Sequence, residues 1–463
     1  MIKTISPIDG KQFVERKLAT SQDLDRAVKL SKKAHASWRS TPLDKRIEYV
    51  NAMIDAFVSK KQEIAEELTR QMGRPIRYTP FEVDRFEERA RMMVRLAPEA
   101  LKDVVPDAHT GFTRFIRREP LGVALVLAPW NYPYLTAVNA VVPALLAGNT
   151  VILKHSAQTP LCSERFFEAA RTAGMPEGVF QFLHMSHALV AEAIGREEVN
   201  HVAFTGSVEG GRDVQHAMAD RFITMGLELG GKDPAYVRSD ADLQFAIDNV
   251  VDGAFFNSGQ SCCGIERVYV DEKVYDKFVE GAVALVREYK LGNPLLPDIT
   301  LGPVVNLSSA GAIQTQIDSA VSKGAKALVD EKAFPEARRG TTYMAPQVLV
   351  NVTHKMDVMY EETFGPVVGI MKTKSDEEAI ALMNDSPYGL TASVWTSDVE
   401  AALRIGDLIE TGTVFMNRCD YLDPELAWVG IKNSGRGCTL SKVGFEYLTR
   451  PKSFHYRTVI PGK

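Results

Sequence analysis

From Gly122 onward, the chain alternates short, continuous apolar segments with longer segments of helical character. Strands buried on both faces of a helix-covered parallel sheet read as uninterrupted runs of Val, Ile and Leu. The first series of such runs comprises 123–128, 151–154, 179–183, 202–205 and 223–229. The second series comprises 267–271, 346–352, 367–372, 391–395 and 412–417. The pattern predicts an α/β fold with two successive sheets that meet tightly near Gly230-Gly231.

Helices are predicted ahead of the first sheet. Apolar residues at helical spacing indicate an amphipathic helix at 22–39, after the capping candidates Thr20 and Ser21. A second helix is predicted at 44–71 and a third, rich in Glu and Arg, at 80–101. The segment 112–118 alternates like a strand.

Composition excludes several functional classes. The chain has 463 residues and a formal net charge of -5 with both signs interspersed, so it lacks the basic face that nucleic-acid binding needs. No apolar run reaches membrane-spanning length, and the first residues lack the apolar core of a secretory signal. Five cysteines, an odd number, suggest free thiols rather than a disulfide framework. We therefore expect a cytoplasmic protein that binds neither nucleic acid nor membranes.

A polar, glycine-flanked turn carries the most conspicuous thiol. The segment Phe255-Phe256-Asn257-Ser258-Gly259-Gln260-Ser261-Cys262-Cys263-Gly264 follows an apolar helical run. A thiol in this position is a candidate nucleophile, although an isolated cysteine is more often a small buried hydrophobe. The choice depends on what surrounds it.

Three other motifs have both a chemical and a structural interpretation. The glycine after the strand in Phe204-Thr205-Gly206-Ser207 could let backbone N–H groups bind the phosphates of a dinucleotide. Alternatively, it is required only because a side chain would not fit at this turn. Asn131, in Pro129-Trp130-Asn131-Tyr132-Pro133, could donate to an oxyanion or to its own turn. Glu228 lies in an apolar run, where burial favours a general base but a salt bridge to Lys232 is the alternative.

In order and spacing these motifs resemble the NAD(P)-dependent aldehyde dehydrogenase superfamily. Five segments carry the resemblance, which spans nearly the whole chain from Ser6-Pro7 to Arg436-Gly437. They are Pro129-Trp130-Asn131-Tyr132-Pro133, Phe204-Thr205-Gly206-Ser207, Glu228-Leu229-Gly230-Gly231-Lys232, Asn257-Ser258-Gly259-Gln260-Ser261-Cys262 and Glu361-Glu362-Thr363-Phe364-Gly365-Pro366-Val367. Several independent motifs in one order outweigh the structural alternative for each.

The resemblance implies catalytic roles for three residues. Cys262 would add to an aldehyde carbonyl, and the Asn131 amide with the Cys262 backbone N–H would stabilise the resulting oxyanion. Glu228 would activate the water that hydrolyses the thioester, giving a carboxylic acid. Two alternatives are a CoA-acylating semialdehyde dehydrogenase, which Glu228 disfavours, and a non-catalytic binding or structural protein on the same fold.

The resemblance also implies that the cofactor is NAD or NADP. By position, the cofactor-binding residues are Trp130, Lys154, Ser156, Ala157, Gly206, Ser207, Leu229, Glu362 and Phe364. Ala157 stands where NAD-preferring relatives often carry a glutamate, so acceptance of NADP is predicted, with Lys154, His155 and Ser156 as candidate donors to its 2′-phosphate. His184 and His187 mark a second departure from the family pattern, and no metal site is predicted there.

A substrate tunnel is implied by the same resemblance. Its expected residues are Tyr132, Leu135, Thr136, Asn139, Phe256, Ser261, Cys263, Asp420, Tyr421, Leu422 and Trp428. Asp420 would favour a cationic tail and Arg418 a carboxylate, unless these two charges pair with each other or face solvent. The substrate stays open among aliphatic, aromatic, amino- and semialdehydes.

The family fold implies a domain organisation and an assembly. A Rossmann-like cofactor domain is expected at 1–101 and 119–229, and a catalytic domain at 230–435, both doubly wound α/β. Segments 102–118 and 445–463 would be oligomerisation or bridging segments. Within them, 112–118 and 449–457 would form a small β oligomerisation arm, which implies a homodimer or a dimer-based homotetramer.

Overall fold

The computed structural model describes residues 1–460. An antiparallel pair of strands, Ile2–Ile5 and Gln12–Arg16, comes first. Helices Ser21–Trp38, Leu43–Val58, Lys61–Met72 and Thr79–Ala100 follow. The prediction of a single helix at 44–71 is wrong. The helix is interrupted at residues 59–60, where Lys60 adopts φ -100 and ψ 16. Neither Gly nor Pro marks this break, which the sequence pattern therefore concealed.

The first sheet has six strands. Their order across the sheet is Gly435–Arg436, Thr224–Glu228, Val199–Thr205, Val123–Ala128, Thr150–His155 and Phe180–Phe182. The five strands from the first half of the chain are parallel, and Gly435–Arg436 is antiparallel to Thr224–Glu228. All five predicted runs of the first series are strands here.

Helices cover both faces of the first sheet, as alternate side chains of one strand show. Ala124, Val126 and Ala128 pack into a core shared with helices Pro133–Ala147 and Pro160–Thr172. Their neighbours on the same strand, among them Leu125, pack into a second core. That core is shared with helices Ser21–Trp38, His187–Gly195 and Val208–Ala217. The sheet is doubly wound, as predicted.

The second sheet has seven strands. Their order is Lys326–Ala327, Gln347–Val350, Val367–Thr373, Ile265–Asp271, Asp233–Val237, Thr391–Trp395 and Thr413–Met416. All are parallel except the short edge strand Lys326–Ala327. Cores lie on both faces. The flanking helices are Leu243–Phe255, Tyr275–Val286, Leu307–Ser322, Asp357–Tyr360, Asp376–Asn384 and Val399–Gly406, with a short 3-10 helix at Glu331–Ala333.

Extended segments outside the two sheets complete the fold. Phe112–Pro120 and Thr449–Arg457 form an antiparallel ribbon, in which the Phe115 and Phe454 rings stack at 4.5 Å. The 3-10 helix Val443–Leu448 precedes the ribbon and packs in the core of the first sheet, so residues 445–448 of the predicted segment 445–463 lie outside the ribbon. Residues 461–463, the last of the predicted segment 445–463, lie outside the described range. Tyr388–Gly389 pairs with Ile431–Lys432.

The chain passes directly from one sheet to the other. Glu228 ends a strand of the first sheet and Asp233 begins a strand of the second. The carboxyl ends of parallel strands are where α/β proteins place their ligands. None of the helices within residues 1–460 is long and apolar enough to cross a membrane.

Candidate active site

A cavity of about 520 Å³ lies where the two sheets meet. Cys262 and Glu228 both line it, as do all eleven residues expected in the substrate tunnel. Its volume falls within the range of small-molecule sites. The structure therefore brings a thiol, a carboxylate and a mixed aromatic and polar wall around one space.

The turn that carries Cys262 has an unusual backbone. It follows helix Leu243–Phe255 through the 3-10 helix Phe256–Gly259, where Asn257, Ser258 and Gly259 adopt φ of 53, 57 and 70°. Gln260 braces the turn, since its Nε2 donates to the Asn257 carbonyl at 3.0 Å and its Oε1 accepts from the Val305 N–H at 2.8 Å. Left-handed backbone is costly at the two non-glycine residues, Asn257 and Ser258, so a persistent turn of this kind indicates a functional constraint.

Gly259→Ala is predicted to destabilise the protein by about 1–3 kcal/mol, because a Cβ there would overlap the Gly365 carbonyl at a positive φ. Gly174→Ala is the matched control, since Gly174 has φ 69° with nothing within 4 Å of a Cβ. Thermal unfolding of both variants measures the difference. Equal melting temperatures would show that the Cys262 turn relaxes freely.

Cys262 is distinguished from the other cysteines by its exposure to the cavity. It is half-buried, whereas Cys162, Cys263 and Cys438 are buried. Burial raises the pKa of the Cys162 and Cys419 thiols and raises that of Cys438 to about 11. The Cys263 pKa is raised by its hydrogen bond with Cys262 and by burial. Those four sulfurs stay protonated at neutral pH, which leaves Cys262 as the candidate nucleophile.

Asn131 lies behind the Cys262 turn and is only 4% exposed. Its side-chain Nδ2 donates to the Gln260 carbonyl at 3.3 Å. An amide carries two N–H bonds, so one remains for a carbonyl oxygen bound at Cys262. Asn131 is not itself among the residues that line the large cavity, so its role as oxyanion donor stays a prediction that rests on this contact with the Cys262 turn.

A buried arginine that the sequence interpretation missed holds this region together. Arg74 pairs with Glu82, donates to the Asn131 carbonyl, and donates through Nε to Asn257 Oδ1 at 3.1 Å. Its guanidinium also lies 4.3 Å from the centroid of the Tyr132 ring. Arg74 thus joins the Asn131 turn to the Cys262 turn.

Two hydroxyl groups hold the Glu228 carboxylate, and the charge of Arg89 also favours its ionised form. Thr205 Oγ1 donates to Oε2 at 3.0 Å and Thr439 Oγ1 donates to Oε1 at 2.5 Å. Burial raises the Glu228 pKa, and these hydrogen bonds oppose the rise. The alternative interpretation, a salt bridge from Glu228 to Lys232, is wrong, because Lys232 pairs with Glu266 instead. A carboxylate with a raised pKa suits a general base.

A second cavity, of about 220 Å³, lies at the carboxyl edge of the first sheet. Lys154 and Ser207 line it, and Ser207 caps helix Val208–Ala217 by accepting from the Gly210 N–H at 3.1 Å. The Lys154 Nζ has no hydrogen-bond or ion-pair partner within residues 1–460, and burial lowers its pKa. A helix N-terminus and an unpaired ammonium beside an open space fit a dinucleotide's phosphates. A Cβ on Gly206 would also lie 2.6 Å from the Phe204 ring, so this glycine has a steric role too.

The remaining cofactor candidates lie nearer the junction. The Trp130 and Phe364 rings meet edge to face at 5.6 Å. Glu362 Oε1 accepts from the Gly231 N–H at 2.9 Å, and burial raises the Glu362 pKa to about 8. The Leu229 backbone N–H donates to the Ser434 carbonyl.

The prediction that His155 donates to the 2′-phosphate of NADP is wrong, because its side chain does not reach the second cavity. Successive side chains of a strand point to opposite faces. Lys154 therefore faces the second cavity, while His155 is buried against Phe166 and Tyr134 with its pKa lowered to about 3 by burial. Ser156 Oγ accepts from the Gln158 N–H, and the Ala157 carbonyl accepts from Thr4.

The two flagged histidines have separate environments. His184 Nε2 lies 2.9 Å from Glu164 Oε1. His187 begins a helix and lines the second cavity.

Asp420 and Arg418 do not pair with each other within residues 1–460. Asp420 Oδ1 accepts from Ser261 Oγ at 3.0 Å and from Cys263 Sγ at 2.9 Å, and burial raises its pKa to about 6. Arg418 is exposed and lies over the Tyr421 ring at 3.6 Å. Arg418 is not among the residues that line the large cavity, so it is poorly placed to receive a substrate carboxylate.

Helix Thr79–Ala100 supplies cavity residues that the sequence interpretation missed. Glu82 and Arg89 line the cavity and are only 2% and 8% exposed. They share the buried face of this helix with Val83, Phe86 and Ala90. Charged residues at positions of an apolar stripe are a signal that the sequence contains and that could have identified them.

Comparison with known proteins agrees with this geometry. Residues 1–454 match the sequence model of the aldehyde dehydrogenase family. A succinate semialdehyde dehydrogenase (NAD(P)+) of Escherichia coli (strain K12) is 32% identical over 443 residues, which cover 96% of this chain and 95% of that protein. Betaine aldehyde dehydrogenase of Bacillus subtilis (strain 168) is 30% identical over 463 residues, covering 98% of this chain and 94% of that protein. The crystal structure of betaine aldehyde dehydrogenase from Staphylococcus aureus in complex with NAD+ superposes with a TM-score of 0.93 at 29% identity, covering 98% of this chain and 92% of that chain.

Proposed function

Because this chain belongs to the aldehyde dehydrogenase family, whose chemistry is NAD(P)-dependent aldehyde oxidation, we propose that Cys262, Asn131 and Glu228 together convert an aldehyde to a carboxylic acid. One observation carries this proposal: the Cys262 thiol and the Glu228 carboxylate line the same cavity. The four other cysteines have raised pKa values, which supports Cys262 as the nucleophile.

In the first step, the Cys262 thiolate adds to the aldehyde carbon and forms a thiohemiacetal. The carbonyl oxygen becomes an oxyanion, to which the free N–H of the Asn131 amide and the Cys262 backbone N–H donate. Arg74 supports this step indirectly, because it holds the Asn131 backbone carbonyl and the Asn257 side chain in place.

The second step turns the thiohemiacetal into a thioester on Cys262. The nicotinamide of NAD(P)+ supplies the two-electron acceptor when it is bound. Of the predicted cofactor residues, Lys154 and Ser207 would face its phosphates, and Trp130, Glu362 and Phe364 would lie toward the junction of the sheets.

In the third step, Glu228 removes a proton from water, which attacks the thioester and releases the acid. Thr205 and Thr439 orient the carboxylate. A CoA-acylating enzyme would instead need a thiol acceptor. Assaying carboxylic acid formation with no added thiol tests the choice, since acid release supports hydrolysis and a strict requirement for CoA would contradict it.

We also propose that NADP is accepted. The exposed Ala157 brings no negative charge, and the Lys154 ammonium has no carboxylate partner within residues 1–460, so it is free to pair with a phosphate. Ala157→Glu is predicted to lower kcat/KM for NADP about tenfold or more and to spare NAD, since the added carboxylate would repel the 2′-phosphate. Ala157→Gln, which adds a similar volume without charge, is the matched control. A strong preference of the wild-type enzyme for NAD in steady-state kinetics would contradict the proposal.

The domain division predicted from sequence and the assembly into a homodimer or homotetramer are kept as proposals. The ribbon of Phe112–Pro120 and Thr449–Arg457 supports the assembly, because a two-stranded ribbon leaves strand edges that need a partner. Light scattering at micromolar concentration tests the assembly, and a purely monomeric species would contradict it.

A cytoplasmic location is proposed because all five cysteines are free thiols, and cell fractionation tests this location.

A further inference from the structure

Arg89 is a buried cation in the wall of the large cavity. Its side chain extends from helix Thr79–Ala100, and the residue is 8% exposed. Nη1 donates to the Leu135 carbonyl at 2.8 Å and to Asn139 Oδ1 at 3.4 Å. Within residues 1–460, no carboxylate lies within 4.0 Å of this guanidinium and no other hydrogen bond leaves it. The N–H bonds of Nε and Nη2 are therefore without protein acceptors.

The other two arginines that line the cavity are neutralised. Arg74 pairs with Glu82, and Arg85 pairs with Glu88 at 2.6 Å. A buried guanidinium without a carboxylate is expensive, and natural proteins rarely keep one unless a ligand compensates it. Arg89 is thus the cavity cation that most needs an anionic partner.

The acidic groups of the cavity are better satisfied than Arg89. Glu228 accepts from two threonines, and Asp420 accepts from Ser261 and Cys263. Asp252 also lines the cavity and has no hydrogen-bond or ion-pair partner within residues 1–460, but it is exposed to solvent, which compensates its charge. These contacts favour an anionic over a cationic tail on the substrate.

We propose that Arg89 binds a carboxylate at the far end of the aldehyde, so that the preferred substrates are semialdehydes. The planar guanidinium offers Nε–H and Nη2–H as a fork that matches two carboxylate oxygens. Arg89 belongs to the wall built by residues 79–139, whereas Cys262 belongs to the turn before the second sheet. A bound semialdehyde would span the cavity between them and leave as a dicarboxylate. This inference rests on the proposed function of Cys262.

The test compares 4-oxobutanoate with its neutral amide of the same length. Wild-type enzyme is expected to show kcat/KM at least about 30-fold higher for the carboxylate, as for a charged hydrogen bond. Arg89→Met is expected to bring the ratio close to one through a higher KM for 4-oxobutanoate, with the amide changed less than about threefold. Arg89→Lys should restore part of the ratio, because it returns the charge without the fork.

Arg91→Met is the matched control. Arg91 lies on the same helix but pairs with Asp55 and Glu87 outside the cavity, so the ratio should stay at its wild-type value. Calorimetric titration with succinate adds a readout that is independent of turnover: wild-type enzyme should bind it and Arg89→Met should not.

Three outcomes would overturn the proposal. One is equal kcat/KM for the carboxylate and the amide in wild-type enzyme; another is an equal loss for both substrates in Arg89→Met, which indicates a purely structural arginine. The third is a preference for 4-aminobutanal or for a phosphorylated aldehyde over 4-oxobutanoate. Failure of every aldehyde, with succinate still bound through Arg89, would instead count against the proposed role of Cys262.

Discussion

Replacing Cys262 with alanine is expected to lower aldehyde-dependent formation of NAD(P)H by about 10⁴-fold or more. The nucleophile starts the reaction, so without it neither the thiohemiacetal nor the thioester forms, and effects of this size are typical for such residues. Cys263 and Cys419 also line the cavity, but burial helps to raise the pKa of both thiols, so neither supplies a replacement thiolate. Steady-state turnover with saturating aldehyde and cofactor measures the loss.

Cys162→Ala provides the control for that experiment. Cys162 is completely buried in the core of the first sheet, so its loss should lower the free energy of unfolding by about 1 kcal/mol and leave turnover near the wild-type rate. If Cys262→Ala retained wild-type turnover, the proposed mechanism would collapse.

Glu228→Gln is expected to separate the two halves of the reaction. The variant should produce a burst of about one NAD(P)H per active site, because thiohemiacetal formation and oxidation do not need this base. Turnover after the burst should fall by about 10²–10⁴-fold, the usual contribution of a general base. Rapid-mixing kinetics distinguishes burst from steady state. A variant with neither burst nor turnover would place Glu228 in the first step instead.

The pH dependence of the wild-type enzyme should report the same carboxylate. Only ionised Glu228 can accept a proton from water, and burial raises its pKa, so hydrolysis should accelerate as pH rises through that pKa. Thr439→Val removes a donor that stabilises the ionised form, and the rise should move to higher pH. A shift in the opposite direction would show that the Thr439 hydroxyl favours the protonated acid.

Much of the fold could be predicted because buried parallel strands leave an unmistakable apolar pattern. The run 391–395 coincides with its strand, and 123–128 does so as well. The strand Asp233–Val237 was not named, although it is buried throughout. Asp233 and Pro234 interrupt its apolar character, and Asp233 is accommodated only because Thr391 donates to it from the adjacent strand. That compensation comes from 158 residues away and has no local signature.

Site residues that belong to local sequence motifs could be predicted. Residues that reach the site only through tertiary contacts could not. Cys262, Glu228 and the expected tunnel residues converge on one cavity. Arg89 was missed because a Glu- and Arg-rich helix is taken as solvated unless its charges are mapped onto its buried face. Arg74 was missed because it lies in the loop after helix Lys61–Met72, where only tertiary contacts with Glu82, Asn131 and Asn257 reveal its burial. His155 was misplaced by treating neighbours on a strand as sharing a face.

The short strand Gly435–Arg436 has a consequence for how the enzyme is made. Together with Thr439, it brings the last part of the chain against Glu228, which belongs to the first sheet. A nascent chain that has left the ribosome only as far as residue 430 already contains Cys262 and Asn131, yet its Glu228 has neither the edge strand nor the second hydroxyl. The thiol is therefore synthesised long before the base acquires its final surroundings, and hydrolytic competence arrives only after residue 439 has been added.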